Sequence, residues 1–514
     1  MTFERGKKVN FRINYLLLSL VLPCLAFNAF AGDAVDTRVT FTLADDNVMK
    51  GPEDTSTGSP TIPNFEPNNS NRLFFDDYER RDTGFENLTH LVLYSHQPGF
   101  FDGLDTEAAL VLRAQMLDAS GVMLKDDGSY IKLTQEQQNG KFMLTAFPVS
   151  ANRFKLGYSY DISWGGSRIF RNTKMVPGLR AEWKRPGFYS FLGTKTGRAQ
   201  MDKADGTKEL DTVWGVLAGA GFDIADEFRM EANGGYFYRG TIDKQELKVS
   251  DGDRLRVAPW LGYGASAQLS YHVGMPIGTP IDFRLYKNDP LKRQTFFRPE
   301  VYGEDMAFSL KSEVSVLGQT LQDPETPSST TVQPAIASDI SARLKTGRFR
   351  YHGLMVYRDL AFILYNVPSS PSFVNFPDGV ATQPELFLSV GFDYSFEASH
   401  FTPGFILGVQ RPAHMTSAAQ AGNNPPDELG QQTFVYRSDT EVDILDAGDK
   451  VALVYAGKGT MRWDLSEIVS ILGELQLSYD QNRRTFAQDE GGIPVRLPQD
   501  PFIVGFNLLM QARF

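Results

Sequence analysis

The sequence predicts an all-β chain: a transmembrane antiparallel up-and-down β-barrel of about 16–18 strands with long outer loops. Three observations carry that expectation. Apolar and polar residues alternate strictly over many long segments, no apolar run beyond residue 31 is long enough for a membrane helix, and the chain ends on an alternating, aromatic-rich stretch.

Alternation comes first because side chains of a strand point to opposite faces, so a period of two makes one face apolar and the other wet. Phe154, Leu156, Tyr158, Tyr160, Ile162 and Trp164 alternate with Arg153, Lys155, Gly157, Ser159, Asp161 and Ser163. Phe228, Met230, Ala232, Tyr236 and Tyr238 alternate with Glu227, Arg229, Glu231, Asn233 and Arg239, and Leu386 to Phe396 repeats the pattern around Ser389, Asp393 and Ser395. Ile471, Leu475, Leu477 and Tyr479 face away from Glu474, Gln476, Ser478 and Asp480. Further strands are expected over 104–118, 211–223, 255–273, 305–322, 331–347, 349–366 and 449–464. Many of these reach ten residues or more, beyond the roughly 5–6 of a soluble sandwich and close to the 9–11 that cross a bilayer when tilted. Tyrosines near segment ends, such as Tyr236, Tyr357, Tyr394 and Tyr479, suit a lipid–water boundary.

The second observation removes the competing membrane architecture. Hydrophobic residues make up 42% of the 514, and the mean hydropathy is −0.27. A membrane helix needs about 20 consecutive apolar residues, and no segment after residue 31 approaches that. Strands closed into a barrel are the other solution, because an open sheet edge in hydrocarbon leaves backbone groups unpaired. The N-terminus reads as a cleaved secretory signal over 1–31: Arg5, Lys7, Lys8 and Arg12 precede an apolar stretch, and Ala29-Phe30-Ala31 supplies small residues for cleavage. Residues 32–514 then form a single barrel domain. The only cysteine, Cys24, falls inside the signal, and Pro23 occupies the place where a lipidation motif needs a small residue.

Connections are expected to alternate in length. Tight turns are read at Gly165-Gly166-Ser167, Arg185-Pro186-Gly187, Thr346-Gly347-Arg348 and Asp464-Leu465-Ser466-Glu467. Long polar connections are read around 47–87, 198–210, 240–254, 366–383, 414–431 and 484–500.

The end of the chain carries the most specific pattern. Phe502, Val504, Phe506, Leu508, Met510, Ala512 and Phe514 form one unbroken apolar face. This resembles the terminal strand of bacterial outer-membrane β-barrels, the porin-like superclass. The resemblance implies a Gram-negative outer membrane, contact with its lipid and lipopolysaccharide, and recognition of Phe506, Leu508, Met510 and Phe514 by the barrel-assembly machinery through strand pairing. Segments such as 147–154 and 282–290 look like envelope barrels of myxobacteria and their relatives, including barrels linked to surface polysaccharide export and to gliding motility. The residues place the chain in neither group.

Composition and motifs exclude other classes. With 51 Lys and Arg against 62 Asp and Glu, the net charge of −11 is the wrong sign for nucleic-acid binding. Neither a nucleophile elbow, a zinc helix nor a phosphate-binding glycine loop is present, so no enzyme activity and no cofactor are expected. His90 and His96 share a face of one strand without metal-ligand spacing at a helix, and His272, His352, His400 and His414 are scattered. Acidic pairs at Asp45-Asp46, Asp76-Asp77 and Asp126-Asp127 read as solvated loop charge rather than calcium sites.

A barrel of this size encloses an aqueous lumen. Its wet face is expected to carry Arg153, Lys155, Asp161, Glu227, Arg229, Glu231, Arg284, Arg343, Arg358, Asp393 and Glu474. The expected function is a passive, porin-like channel for small polar solutes. The alternative is a barrel component of an envelope machine, for polysaccharide export or gliding and adhesion, working with periplasmic or envelope-complex proteins.

Overall fold

The computed structural model describes residues 38–45, 48–49, 90–118, 121–126, 128–202, 207–242, 258–275, 306–366, 374–376, 380–416, 432–436, 442–488 and 494–513, apart from positions 153, 160, 171, 172, 174, 327, 328 and 447 within them. The expected signal segment, Arg153, Arg284 and Phe514 lie outside the described residues. No described helix is long and apolar enough to cross a membrane.

In chain order the strands are β1 (Arg38–Asp45), β2 (His90–Pro98), β3 (Leu104–Asp118), β4 (Gly121–Asp126), β5 (Tyr130–Gln137), β6 (Gly140–Phe147), β7 (Gly178–Arg185), β8 (Phe188–Asp202), β9 (Lys208–Ala225), β10 (Phe228–Ile242), β11 (Ala258–Val273), β12 (Met306–Gln322), β13 (Thr330–Thr346) and β14 (Phe349–Arg358). There follow β15 (Ala381–Gln383), β16 (Glu385–Tyr394), β17 (Phe401–Arg411), β18 (Ala413–Thr416), β19 (Thr433–Tyr436), β20 (Val442–Leu445), β21 (Val454–Asp464), β22 (Val469–Tyr479), β23 (Arg484–Gln488), β24 (Pro494–Pro498) and β25 (Phe502–Arg513). Nineteen of them make one antiparallel sheet in which neighbours in sequence are neighbours in space. β4 and β5 run end to end along β3, so they count as one stave and the wall has eighteen. The last stave returns to the first: β25 pairs with β1 from Arg38↔Arg513 to Asp45↔Phe506, and β1 lies alongside β2. The fold is an up-and-down β-barrel.

The two rims differ. The rim that carries Arg38 and Arg513 also carries short turns at 99–103, 138–139, 186–187, 226–227, 347–348, 395–400 and 465–468, together with the connection 274–305. We call it the terminal rim. The opposite, loop rim carries the longer connections, among them 46–89, 148–177, 359–384, 412–453 and 480–501. There β15, β18, β19 and β20 form a small capping sheet, and β23 and β24 a hairpin.

Burial is inverted relative to a soluble protein. Large apolar side chains such as Leu192, Val216, Leu269, Val314, Val316, Ile340, Leu388, Val390, Leu407 and Leu475 are exposed on the outside. The residues beside them in the same strands, including Lys195, Gln268, Glu313, Ser315, Asp339, Ser389 and Gln476, are buried inside. A continuous exposed apolar surface of this extent is stable only against lipid.

Aromatic rings bound that belt. Near the terminal rim they touch in a chain around the outside: Phe228–Tyr271, Tyr271–Phe308, Phe349–Tyr351, Phe349–Tyr394, Tyr394–Phe396 and Phe396–Phe401, with centroids 4.7 to 6.4 Å apart. Towards the loop rim Trp214 packs on Tyr236 and Tyr238 at 5.9 and 6.4 Å. On β10 the two levels are eight to ten residues apart, from Phe228 to Tyr236 and Tyr238, roughly the height of a bilayer's apolar core once the strands tilt.

Several sequence expectations are corrected. The most regular alternation, 153–164, is not a stave: 148–177 leaves the wall after β6 and returns at β7, and Gly165-Gly166-Ser167 is a bend within it. Around 198–210 there is no long loop, because β8 and β9 extend as a paired ladder to Asp202↔Lys208. The strand expected over 349–366 stops at Arg358, where Asp359 caps a one-turn helix, Leu360–Ile363, by accepting from Phe362 N. The turns at 185–187, 346–348 and 464–467 stand as read.

Candidate functional site: the lumen and its inserted segment

Residues 148–177 fold into the barrel. Phe154, Leu156, Ile162, Trp164, Ile169, Phe170 and Val176 are buried in one cluster with the wall residues Phe147, Phe191, Val213, Leu217, Phe237 and Leu317. Leu156 and Trp164 pair through both backbone hydrogen bonds, at 2.9 and 3.0 Å, closing a hairpin whose tip is 157–163. Gly157 starts that tip with φ +90°, and a Cβ there would lie 3.0 Å from Glu313 Oε1.

Alternation alone cannot separate a stave from such an insert, since both bury one face. What differs is the source of the backbone's partners. A stave finds them in neighbouring strands, whereas this segment takes them from buried polar side chains of the wall. Glu313 accepts from Tyr158 N at 3.0 Å with both carboxylate oxygens and also from Ser159 N. Lys195 Nζ donates to Ala151 O at 2.8 Å and Gly165 O at 2.7 Å. Asn233 Oδ1 accepts from Gly157 N at 3.0 Å, and Trp164 Nε1 donates to Ser266 Oγ at 2.9 Å. Lys195 and Glu313 are 0% exposed, so their charged ends reach the insert and not solvent.

Arg239 joins this insert to a second one. Its guanidinium donates to Ile169 O at 2.8 Å, to Tyr365 O at 2.9 Å, to Asn366 O at 3.1 Å and to Gln319 Oε1 at 3.1 Å, and stacks 3.5 Å over the Trp260 ring. Tyr365 follows the Leu360–Ile363 helix and meets Trp164 edge-to-face at 6.3 Å. Leu360 and Leu364 continue into an apolar cluster with Ala413, Met415 and Tyr436 of the capping sheet.

The wall makes room for the insert with missing side chains. Gly193 of β8 points inward, and a Cβ there would sit 2.5 Å from the Phe154 ring. Close approach of this kind is what an inward glycine permits.

The residues expected on the wet face fall into three groups. Arg229, Glu231, Arg343, Arg358, Asp393 and Glu474 lie on inward positions of the wall. Arg229 pairs with Asp223 at 2.5 Å, Arg358 with Glu385 at 2.7 Å, Asp393 with Arg350 at 2.5 Å and Glu474 with Lys458 at 3.1 Å. Glu231 accepts from Tyr189 Oη and Gln268 Nε2, both at 2.8 Å. Lys155 and Asp161 are instead on the insert within the lumen, and Glu227 is exposed in the β9–β10 turn at the terminal rim. Of the terminal-strand residues, Leu508 and Met510 are exposed on the outer face and Phe506 is half-buried. Sequence reading placed Arg239 on the polar face of its strand without a role and missed Lys195 and Glu313, which with it engage the inserts. Among the described residues, no group of three or more His, Cys, Asp or Glu side chains is arranged to hold a metal ion.

No family model matches the chain, and no curated protein matches it. Solved structures similar to it include OmpT, an outer-membrane protein of Vibrio cholerae, at 8% identity and TM-score 0.34, covering 94% of this chain and 99% of that one. The anion-selective porin of Comamonas acidovorans is similar at 10% identity and TM-score 0.37, covering 93% and 98%. Wzi, a carbohydrate-binding outer-membrane barrel involved in group 1 capsule assembly in Escherichia coli, is similar at 10% identity and TM-score 0.37, covering 99% and 90%.

Proposed function

We propose that the protein is an outer-membrane channel for small polar solutes whose bore is set by the segment 148–177. The carrying observation is that Lys195, Glu313 and Arg239, inward residues of three different staves, direct their hydrogen bonds to the backbone of the inserts. A wide open lumen would leave those charges in water. Here the wall and the insert form one packed body, and solute passes beside it along the remaining inner face, where the partly exposed Arg350–Asp393 pair carries both signs of charge. The loop rim faces outward and the terminal rim the periplasm, in keeping with the short turns of the terminal rim. No catalytic step is part of this reading.

Single-channel conductance in a planar bilayer tests it. The wild-type barrel is expected to open in small, steady steps. Glu313→Gln weakens the grip on Tyr158 and Ser159 and is expected to give larger, noisier steps. If neither protein conducts, the channel reading fails. A second reading, a sealed barrel serving as an envelope-complex component, draws on the capping sheet packed against the second insert at the loop rim. It predicts silence in the bilayer together with co-purifying envelope proteins.

A further inference from the structure

At the terminal-rim end of the lumen, β14, β16, β17 and β21 place two arginines on one stretch of the inner face. Arg350 donates through Nε to Asp393 Oδ1 at 2.5 Å, and Arg462 through Nε to Asp464 Oδ1 at 2.9 Å. A guanidinium held only through Nε keeps its two terminal nitrogens for another acceptor. Arg462 Nη2 is buried and has no hydrogen-bond partner, with the side chain 10% exposed. Thr402, directly across the β17–β21 ladder from Arg462, has a buried hydroxyl that is likewise without a partner. Gly404, one inward position deeper, lets the flanks close up: a Cβ there would lie 2.7 Å from Thr460 Oγ1 and 2.9 Å from Asp393 Cβ. The register carries Arg350 across to Asp393 and Asp393 across to Gly404, one inward position from the Thr402–Arg462 rung, so both arginines stand at nearly the same level of the inner face.

Buried donors without an acceptor are rare in native proteins because they forfeit their hydration without return. Two of them on one rung of the ladder, with a second arginine at nearly the same level of the inner face, call for an acceptor that also carries negative charge. The neighbouring carboxylates Asp393 and Asp464 are already engaged through the Nε bonds. We infer that Arg462, Thr402 and Arg350 form a binding site for a small oxyanion, of the carboxylate or phosphate class, at the inner end of the lumen. The planar fork of Arg462 presents parallel donors to two oxygens of one anion, and the Thr402 hydroxyl adds a third contact. The site deepens the channel reading, on which it rests for solute access, by naming anions as the solutes retained on the way through.

The test reads binding without conductance. Inorganic phosphate is titrated against the full-length barrel in detergent, and the excess phosphorus-31 linewidth is measured. Arg462→Gln is expected to reduce the excess about tenfold, as the loss of a charge-assisted contact does. Thr402→Val, which keeps every charge, is expected to reduce it several-fold while heat-modifiable gel mobility shows the barrel intact. Acetate should compete with phosphate if carboxylates are also taken. The inference is overturned if the wild type shows no more broadening than Arg462→Gln, or if the broadening survives Arg350→Gln/Arg462→Gln. A silent barrel that still binds phosphate would sink the channel reading and leave the site standing. A conducting barrel without broadening would do the reverse.

Discussion

Asp359 shows how one carboxyl can set the docking of a whole loop. It sits just past β14, outside the membrane-spanning wall, and accepts from Ile336 N and Phe362 N, each at 2.7 Å. Burial pushes its carboxyl up to about 6, against the opposing pull of those two hydrogen bonds. A carboxyl raised in the folded state contributes its stability in full below the unfolded value near 3.8 and loses it as pH rises through about 6. The one-turn helix and Tyr365 are therefore expected to dock more firmly at pH 4 than at pH 8, by at most about 3 kcal/mol. Hydrogen–deuterium exchange over 360–366, corrected for intrinsic rates, should rise across that interval in the wild type. Asp359→Asn should flatten the dependence, and an equal slope in both proteins would show that another group is responsible.

At the scale of the element, staves and inserts were unequally legible. Alternation located β3, β11, β12, β13, β21 and β22 to within a few residues, because an outward apolar face in lipid and an inward polar face in the lumen impose period two directly. The same rule misassigned 153–164, since a hairpin packed on the inner wall also buries every second residue. The distinguishing signal lies in its neighbours: β8 and β9 carry Gly193, Gly197, Gly215, Gly219 and Gly221 on inward positions, where a hollow barrel would have no use for so many missing side chains. Lys195 and Glu313 stand among ordinary polar residues in the sequence, and only the register of distant strands shows what they hold. Gly193→Ala is expected to press on the Phe154 ring and on Leu179 O, costing roughly 1–3 kcal/mol of insert docking. Tryptic cleavage at Lys155 should then accelerate several-fold, with Leu192→Ala on the outer face as the control that leaves it unchanged.

The whole molecule is governed by what each face meets. Exposed apolar side chains outside and buried charges inside describe a protein folded for lipid, so the two faces should respond oppositely to a new charge. Val314 lies in the middle of β12 on the outer face, next to inward Glu313 and Ser315. Val314→Arg at that depth is expected to cost about 2–4 kcal/mol of folding free energy in bilayers, measured by denaturant titration of heat-modifiable protein. A small effect in bilayers would argue that this face is not in lipid. Closure is the other whole-molecule property, and it was legible only in part: the terminal alternation marks β25 as a lipid-facing strand, but nothing local in 38–45 names its partner. In the barrel Leu43 lies opposite Leu508, and opposed residues of an antiparallel pair are about 4.5–5.5 Å apart at Cα, within reach of a disulfide. With Cys24 the only native cysteine, Leu43→Cys/Leu508→Cys should oxidise to a single intramolecular bridge that joins β1 to β25. Boiled, non-reduced protein should then migrate as a circularised chain and return to normal mobility on reduction. A β1 that pairs elsewhere, or with another register on β25, would leave both thiols free to alkylation, and the eighteen-stave ring would have to be redrawn.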